Sequence, residues 1–251
     1  MKTLFLAWQA PDSRVWYPVG RLDADVAGHD FIFQYTYGAL DAQTQDGFHP
    51  VSSFPELHRR YEASELFPLF QNRVIDSHRR GFAEYVQSLD MDESTVDPLA
   101  ILAVTGGERQ TDNFEVFPKL VKDAGNRFVC RFFLHGLRHC NELARERAFS
   151  LQPGEELRVS VELNNPATGL AVLLATEDYQ IIGWSPRYLV KDLLQASTKY
   201  SELRAKVIRN NAVGTPLNRR VLIELSGALP QDYEPMSDDG FKTISANSVA
   251  H

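Results

Sequence analysis

The chain has 251 residues, of which 43% are apolar and 24% charged, which is enough to bury the cores of two small domains. A formal net charge of −7 argues against a protein that coats nucleic acid indiscriminately. Residues 1–10 are too short and too weakly charged at their start for a secretory signal, and no stretch approaches a membrane span. We therefore expect a cytoplasmic protein with no membrane partner and with reduced Cys130 and Cys140.

The charge is unevenly distributed along the chain. Residues 1–126 hold 11 Lys/Arg against 19 Asp/Glu (−8), residues 127–227 hold 14 against 10 (+4), and residues 228–251 hold 1 against 4 (−3). Residues 119–126 fit a linker. The pattern predicts an acidic domain over 1–126, a basic domain over 127–227 and an acidic, disordered tail over 228–251. The alternative is an asymmetry without functional meaning.

The first half mixes strand and helix patterns. Apolar and aromatic runs predict strands at residues 4–8, 15–22, 31–37 and 113–117. A polar loop is predicted at 41–47 and an amphipathic helix at 77–89. Asp97-Pro98 is typical of a helix start, and Gly106-Gly107 ends that helix. This half is therefore expected to be α+β.

The second half is rich in short β patterns. Apolar runs punctuated by Pro-Gly, Asn-Pro and Gly predict antiparallel strands at 128–140, 156–166, 170–175 and 180–189, and a last strand at 219–225. A helix follows the fourth of these, with apolar side chains at helical spacing. These side chains are Leu189, Val190, Leu193, Leu194 and Tyr200.

Several first-half segments resemble the N-terminal subdomain of HipA-type kinases. They are residues 19–22, 31–35, 66–73 and 97–118, and the resemblance covers about residues 14–118. It implies a small α+β domain without catalytic residues, which in that family packs on a kinase body or restrains a toxin kinase as a separate chain. A protein partner such as a HipA-type kinase is the corresponding expectation.

The sequence carries no kinase machinery after this subdomain. There is no Gly-rich phosphate loop with its lysine, no catalytic-loop Asp with a downstream Asn, and no Asp-Phe-Gly metal motif. Paired acids such as Glu155-Glu156 lack a His or Lys partner pattern. We expect no enzyme activity, no catalytic residues and no cofactor.

The second half resembles the HIRAN domain over about residues 127–227. The matching features are Gly136-Leu-Arg-His139, residues 151–154, Asn164-Asn-Pro166, residues 182–189 and the last strand. The resemblance implies a small OB- or SH3-like β-barrel with one or two helices. HIRAN domains occur beside helicase and nuclease modules, and one captures the 3′-hydroxyl end of single-stranded DNA.

The resemblance points to specific DNA-binding residues. Arg138 matches an arginine that holds a DNA phosphate, a role suited to a guanidinium, and His139 is placed to stack on a base. The family continues after Asn-Pro with an aromatic residue and an aspartate that receive the terminal nucleotide; here they are Ala167 and Thr168. Threonine accepts a hydroxyl proton without charge, and alanine offers no ring.

Trp184, Arg187 and Tyr188 form an aromatic and cationic cluster suited to nucleic acid. Trp184 also fits a barrel core. Three further arginines are candidates for a phosphate-binding face, or for ordinary solvent-exposed charge. These are Arg209, Arg219 and Arg220.

A metal site is not expected from the cysteines and histidines of this region. The spacing of Cys130, His135, His139 and Cys140 does not match a structural zinc site.

The sequence thus predicts a non-enzymatic regulatory or adaptor protein. Its HIRAN-like domain would contact single-stranded or 3′-end DNA, and its N-terminal domain would contact a protein such as a kinase, helicase or nuclease. The alternative is an antitoxin-like inhibitor of a HipA-type kinase that does not bind DNA ends.

Overall fold

The computed structural model describes residues 1–109 and 111–244, apart from the side chains of Tyr200 and Ser201. Its architecture is α+β, with one five-stranded and one six-stranded antiparallel sheet. The strands are β1 (Lys2–Gln9), β2 (Trp16–Asp25), β3 (Asp30–Tyr35), β4 (Tyr61–Ala63), β5 (Phe114–Pro118), β6 (Arg127–Phe133), β7 (Glu156–Asn165), β8 (Gly169–Ala175), β9 (Ile181–Trp184), β10 (Arg204–Asn210) and β11 (Val221–Ala228). The α-helices are α1 (Tyr37–Asp46), α2 (Pro68–Gln71), α3 (Phe82–Ser88), α4 (Pro98–Thr105), α5 (Glu142–Ser150) and α6 (Val190–Ala196).

The chain forms two compact units, and both are discontinuous in sequence. Unit 1 contains residues 1–83, residues 94–119 and the C-terminal segment from Met236, and unit 2 contains residues 84–93 and 120–235. These bounds differ from the expected limits at residues 126 and 227. Two short segments account for most of the difference. Residues 84–93 belong to unit 2 although they interrupt the sequence of unit 1, and the segment from Met236 belongs to unit 1 although it follows unit 2 in sequence.

Unit 1 is built on the sheet with strand order β4-β3-β2-β1-β5. The strands predicted at 4–8, 15–22, 31–37 and 113–117 are confirmed as β1, β2, β3 and β5, with bounds shifted by a few residues. Leu6, Phe33 and Phe70 are fully buried in its core, and the Phe33 and Phe54 rings stack with centroids 4.0 Å apart. Aromatic burial therefore organises this unit.

The helices of unit 1 correct one prediction and confirm another. The expected polar loop at 41–47 is wrong, because α1 occupies it and buries only Gly38, Ala39 and Ala42. The α4 prediction is confirmed, since the Asp97 carboxylate accepts the Ala100 N–H at 2.9 Å as an N-cap. The helix predicted over 77–89 is shorter, as α3 begins at Phe82, and its residues 84–88 belong to unit 2.

The expected disordered tail is largely ordered where the structure describes it. Met236 and Ile244 are each only 4% exposed. Ile244 donates its N–H to the Tyr35 carbonyl at 2.9 Å, and Thr243 forms a β-bridge with Thr36. Burial of two apolar side chains offsets the ordering entropy that the acidic composition alone would not overcome. Residues 245–251 lie outside the described part.

Unit 2 is built on the sheet with strand order β6-β11-β10-β7-β8-β9. Fully buried side chains from several strands form its core. They include Leu174, Ile182, Val207, Ile223 and Leu225. Strand β10 and helix α5 were not predicted, because β10 carries alternating charges and α5 buries only Ala144 and Ala148. The helix predicted after Leu189 is confirmed as α6, while the Tyr200 side chain lies outside the described residues.

The two outer strands of this sheet are joined by a backbone bridge. His135 follows β6, and Trp184 ends β9. The His135 N–H donates to the Trp184 carbonyl at 3.0 Å, and the Trp184 N–H donates to the His135 carbonyl at 3.0 Å. The first and last strands in the sheet order therefore meet at this end.

No helix in the described ranges combines the length and the apolar character that a bilayer crossing requires.

Candidate nucleic-acid interface

A tight turn presents Arg138 and His139 at the end of β6. Gly136 adopts a left-handed conformation with φ of 74° and starts a 3-10 turn at Leu137–His139. Leu137 is 2% exposed and holds the turn against the core, whereas Arg138 and His139 are exposed. Arg138 donates from Nε to His139 Nε2 at 3.0 Å, which orients both side chains. Among the described residues, no carboxylate pairs with Arg138.

Trp184 packs directly against this turn. A Cβ atom placed on Gly136 would lie 2.4 Å from Trp184 Cε3, so only glycine allows the ring to come so close. Trp184 is half-buried, and its indole N–H donates to Glu162 Oε2 at 2.6 Å. The ring is thereby held by the turn at its six-membered part and by a carboxylate at its indole nitrogen.

A hydrogen-bonded chain continues from Glu162 to the β7–β8 turn. Asn165 donates from Nδ2 to Glu162 Oε2 at 2.8 Å. Asn165 Oδ1 in turn accepts the N–H groups of Ala167 and Thr168 at 3.0 and 3.2 Å, and the Thr168 hydroxyl at 3.0 Å. The Thr168 hydroxyl proton is thus used within the turn, and its oxygen keeps acceptor capacity.

The structure therefore connects four of the six predicted DNA-binding residues. Arg138 and His139 join Trp184 through Gly136, and Trp184 joins Thr168 through Glu162 and Asn165.

The other two predicted residues follow Trp184 in the next turn. Arg187 and Tyr188 belong to the 3-10 turn Arg187–Leu189, which is held to the core by Leu189, 2% exposed. Arg187 is exposed and Tyr188 half-buried.

Sequence reasoning missed Glu162 and the packing role of Gly136. Glu162 sits in an ordinary alternating strand pattern, and nothing local indicates that its carboxylate meets an indole 22 residues away. Gly136 belongs to the Gly136–His139 motif, but the motif does not show that the Trp184 ring at the end of β9 leaves no room for a side chain at this position.

The further arginines do not form one exposed basic face. Arg220 is 7% exposed and lies with its guanidinium carbon 5.0 Å from the Phe149 ring centroid, so it is a packing residue. Arg219 lies 5.7 Å from the Tyr85 ring centroid, and Arg209 donates from Nε to Asn211 Oδ1 at 3.2 Å.

Net charge also changes when it is counted over structural units. Unit 1 contains 11 Lys/Arg against 16 Asp/Glu (−5), and unit 2 contains 15 against 17 (−2). Residues 84–93, 120–126 and 228–235 add acidic side chains to the segment that is +4 by itself. A long-range attraction of nucleic acid to unit 2 is therefore weaker than the sequence segment predicts.

The two cysteines are free thiols without nucleophilic activation. Burial raises the pKa of Cys130 to about 12, and the nearby carboxylates of Asp192 and Glu224 act in the same direction. Burial also raises the pKa of Cys140, against the opposing effect of Arg145. Since the thiolate is the reactive species, both thiols are poor nucleophiles at neutral pH. Within the described ranges, no cluster of three His, Cys, Asp or Glu side chains suits a metal ion.

Comparisons with known proteins give no relative: no family model matches the chain, and no curated protein or solved structure matches it significantly.

Proposed function

We propose that unit 2 is a HIRAN-like β-barrel that binds single-stranded DNA at the end where β6 and β9 meet. The observation that carries this proposal is the convergence of Arg138, His139, Trp184 and Thr168 from three separate segments, through hydrogen bonds between Trp184 and Thr168 and through packing of Trp184 on the Gly136 turn. The bridge between His135 and Trp184 supports the barrel, because it links the outer strands of the sheet.

The proposed binding mode combines phosphate contact with base stacking. Arg138 contacts a phosphate, and the exposed His139 ring stacks on a base, with Trp184 and Tyr188 as further aromatic surface and Arg187 as a second cation. Glu162 repels phosphate from the Trp184 edge, so the DNA backbone follows the Arg138 side of the cluster. Unit 1 in this proposal contacts a protein partner, and the whole chain acts as a cytoplasmic adaptor without catalytic activity.

Recognition of a 3′ end is the less supported part of this mode. Ala167 offers no ring for the terminal base, and the Thr168 hydroxyl already donates to Asn165. The geometry therefore favours binding along a strand over capture of a terminal hydroxyl.

The first test is fluorescence anisotropy of the full chain with three labelled DNA probes at low and moderate salt. The probes are a single strand with a free 3′-hydroxyl, the same strand with a 3′-phosphate, and a blunt duplex. Arg138→Ala is expected to weaken single-strand binding about tenfold and to reduce the salt slope by about one. Arg127→Ala is the matched control, since it removes an exposed guanidinium from the opposite end of β6.

Two results would count against the proposal. Equal losses from Arg138→Ala and Arg127→Ala would mean that binding is unspecific electrostatics. No binding of the wild-type chain at low salt would exclude a DNA-binding function for this cluster. A preference for the 3′-hydroxyl probe would show that Thr168 still accepts an end.

A second candidate function is inhibition of a partner protein, as in an antitoxin-like regulator of a HipA-type kinase. The net charge of −2 for unit 2 and the Glu162 carboxylate within the cluster favour it over DNA. Its test is the activity of a purified HipA-type kinase with and without the purified full chain. A stoichiometric loss of activity supports inhibition, and an unchanged rate excludes it for that kinase.

A further inference from the structure

One strand of the six-stranded sheet has an open edge. On one side, β8 pairs with β7 from Arg158 to Asn165. On the other side, β10 pairs only with Glu156 and Leu157 of β7. Among the described residues, no strand covers 158–165 on that side, so alternate backbone N–H and C=O groups have no sheet partner there.

The side chains along this edge are exposed and include a row of apolar residues. Val159, Val161 and Leu163 share one face of the strand because side chains alternate. Val161 is 40% exposed and Leu163 is 70% exposed. The segment 158–163 contains neither lysine nor proline, which commonly protect an edge strand from pairing, and its charged residues, Arg158 and Glu162, are of opposite sign. It therefore resembles a strand that is normally paired.

The edge sequence is complementary to itself in an antiparallel arrangement. Arg158-Val-Ser-Val-Glu162 has Ser160 at its centre, with a cation two residues before it and an anion two residues after it. A two-fold axis at Ser160 places Arg158 opposite Glu162 of a second copy, and Val159 opposite Val161 of that copy. Opposite charges and apolar pairs at facing positions both stabilise a strand pair.

The charged atoms at both ends of this segment remain available. Glu162 uses Oε2 for Trp184 and Asn165, and Oε1 has no described partner. Arg158 lies 4.5 Å from the Tyr179 ring centroid and donates only from Nε, to the Glu177 carbonyl at 3.4 Å. Its two terminal nitrogens have no described acceptor. An intermolecular ion pair would therefore use Glu162 Oε1 and the terminal nitrogens of Arg158.

We propose that two copies of this chain dimerise through antiparallel pairing of their β7 edges, centred on Ser160. The proposal does not rest on nucleic-acid binding, although Glu162 contributes to both sites. The pair joins two sheets across a two-fold axis, satisfies the edge backbone groups and brings the exposed Val161 against Val159 of the second copy. Because a five-residue pair buries less than a standard interface, we expect a dissociation constant on the order of 10–100 µM.

The experiment is sedimentation velocity of the full chain over about 1–500 µM, which brackets that constant. The wild-type chain should convert from monomer to dimer with rising concentration. Val161→Lys, which puts a lysine on the edge, is expected to weaken the dimer at least about tenfold. Val213→Lys is the matched control, because Val213 is 94% exposed and lies outside β7, and it should dimerise like the wild-type chain.

Two substitutions of one cation separate pairing from a general loss of stability. Arg158→Glu should weaken the dimer, since two carboxylates then face each other, whereas Arg158→Lys keeps the cation and should leave the dimer nearly unchanged. Register is checked with Ser160→Cys in a Cys140→Ser background, which should form an intermolecular disulfide on oxidation, whereas Ser150→Cys should not.

A wild-type chain that stays monomeric at the highest concentration would overturn the proposal. So would a dimer that Val161→Lys and Val213→Lys weaken equally, or a Ser160→Cys chain that oxidises no faster than Ser150→Cys. Circular dichroism of each variant confirms that a lost dimer does not reflect a lost fold.

Discussion

At the scale of single residues, Gly136 shapes the candidate site more than any charged side chain. Its φ of 74° is unfavourable for a side chain, and the Trp184 ring occupies the place of a Cβ atom. The turn that exposes Arg138 and His139 thus requires glycine for two reasons, the left-handed backbone and the close approach of Trp184. A substitution at this position should therefore lower stability through both backbone strain and a steric clash.

Gly136→Ala is expected to lower the free energy of unfolding of unit 2 by about 2–4 kcal/mol. Roughly 1 kcal/mol comes from the left-handed backbone, and the rest from overpacking against Trp184. The control Gly154→Ala has a φ of 88° and no atom near the added Cβ, so it should lose only the backbone part. Native-state hydrogen exchange of the β6 and β9 amides measures the loss of unfolding free energy in each variant. Equal losses in Gly136→Ala and Gly154→Ala would contradict the packing argument.

At the scale of elements, an ion-pair ladder ties three neighbouring strands of unit 2. Glu224 on β11 faces Arg131 on β6 and Lys206 on β10. Its two carboxylate oxygens accept from Arg131 Nε and Lys206 Nζ, each at 2.9 Å. Burial raises the pKa of Glu224, but the hydrogen bonds from Lys206 and Arg131 outweigh burial and hold it below the usual 4.5.

This ion-pair ladder predicts that the stability of unit 2 depends on pH. Because the folded pKa of Glu224 lies below its unfolded value, its contribution to stability is complete above about pH 4.5 and is lost as the pH falls through the folded pKa. Glu224→Gln should cost about 1–3 kcal/mol at pH 7 and less below pH 4. Exchange rates of β10 and β11 amides from pH 3 to 7 test this.

The control for this prediction is Glu177→Gln, an exposed loop residue of the same unit. It should leave the pH dependence of amide exchange in β10 and β11 unchanged. A Glu224→Gln chain whose loss of stability is the same at pH 3.5 and pH 7 would contradict the assignment.

At the scale of the whole molecule, the two ends of the chain belong to the same unit. Ile244 donates its N–H to the Tyr35 carbonyl, and the Tyr37 N–H donates to the Lys242 carbonyl, each at 2.9 Å. The Phe241 and Phe5 rings meet edge to face with centroids 4.9 Å apart. The C-terminal segment thus returns to unit 1 after the chain has passed through unit 2.

Truncation after Pro235 should therefore destabilise unit 1 by several kcal/mol and leave unit 2 nearly unchanged. Hydrogen exchange reports both in one sample: β1 and β3 amides should lose protection, while β10 and β11 amides serve as the internal control. Ile244→Ala in the full chain should give a smaller loss, about 2–4 kcal/mol, in the same amides. Unchanged protection of β3 would show that the segment contributes nothing to unit 1.

Local pattern was enough for much of the fold. Alternating and aromatic runs predicted β1, β2, β3 and β5, and Asp97-Pro98 predicted the start of α4, because strand periodicity and helix caps are properties of neighbouring residues. The pattern failed at α1, α5 and β10. The two helices bury only a few small residues, and β10 carries alternating charges. The apolar periodicity of these three segments is therefore too weak to predict their secondary structure.

The sequence by itself determined the α+β class, most strands, and the residue types that a nucleic-acid site would use. Only the tertiary structure decided that Trp184 meets Gly136 and Glu162, that Arg220 is buried, and that the C-terminal segment completes unit 1. The physical reason is the sequence separation over which each kind of interaction acts. Periodicity, capping and turn chemistry act within a few residues, whereas ring packing, ion-pair partners and unit membership join residues that are far apart in the chain.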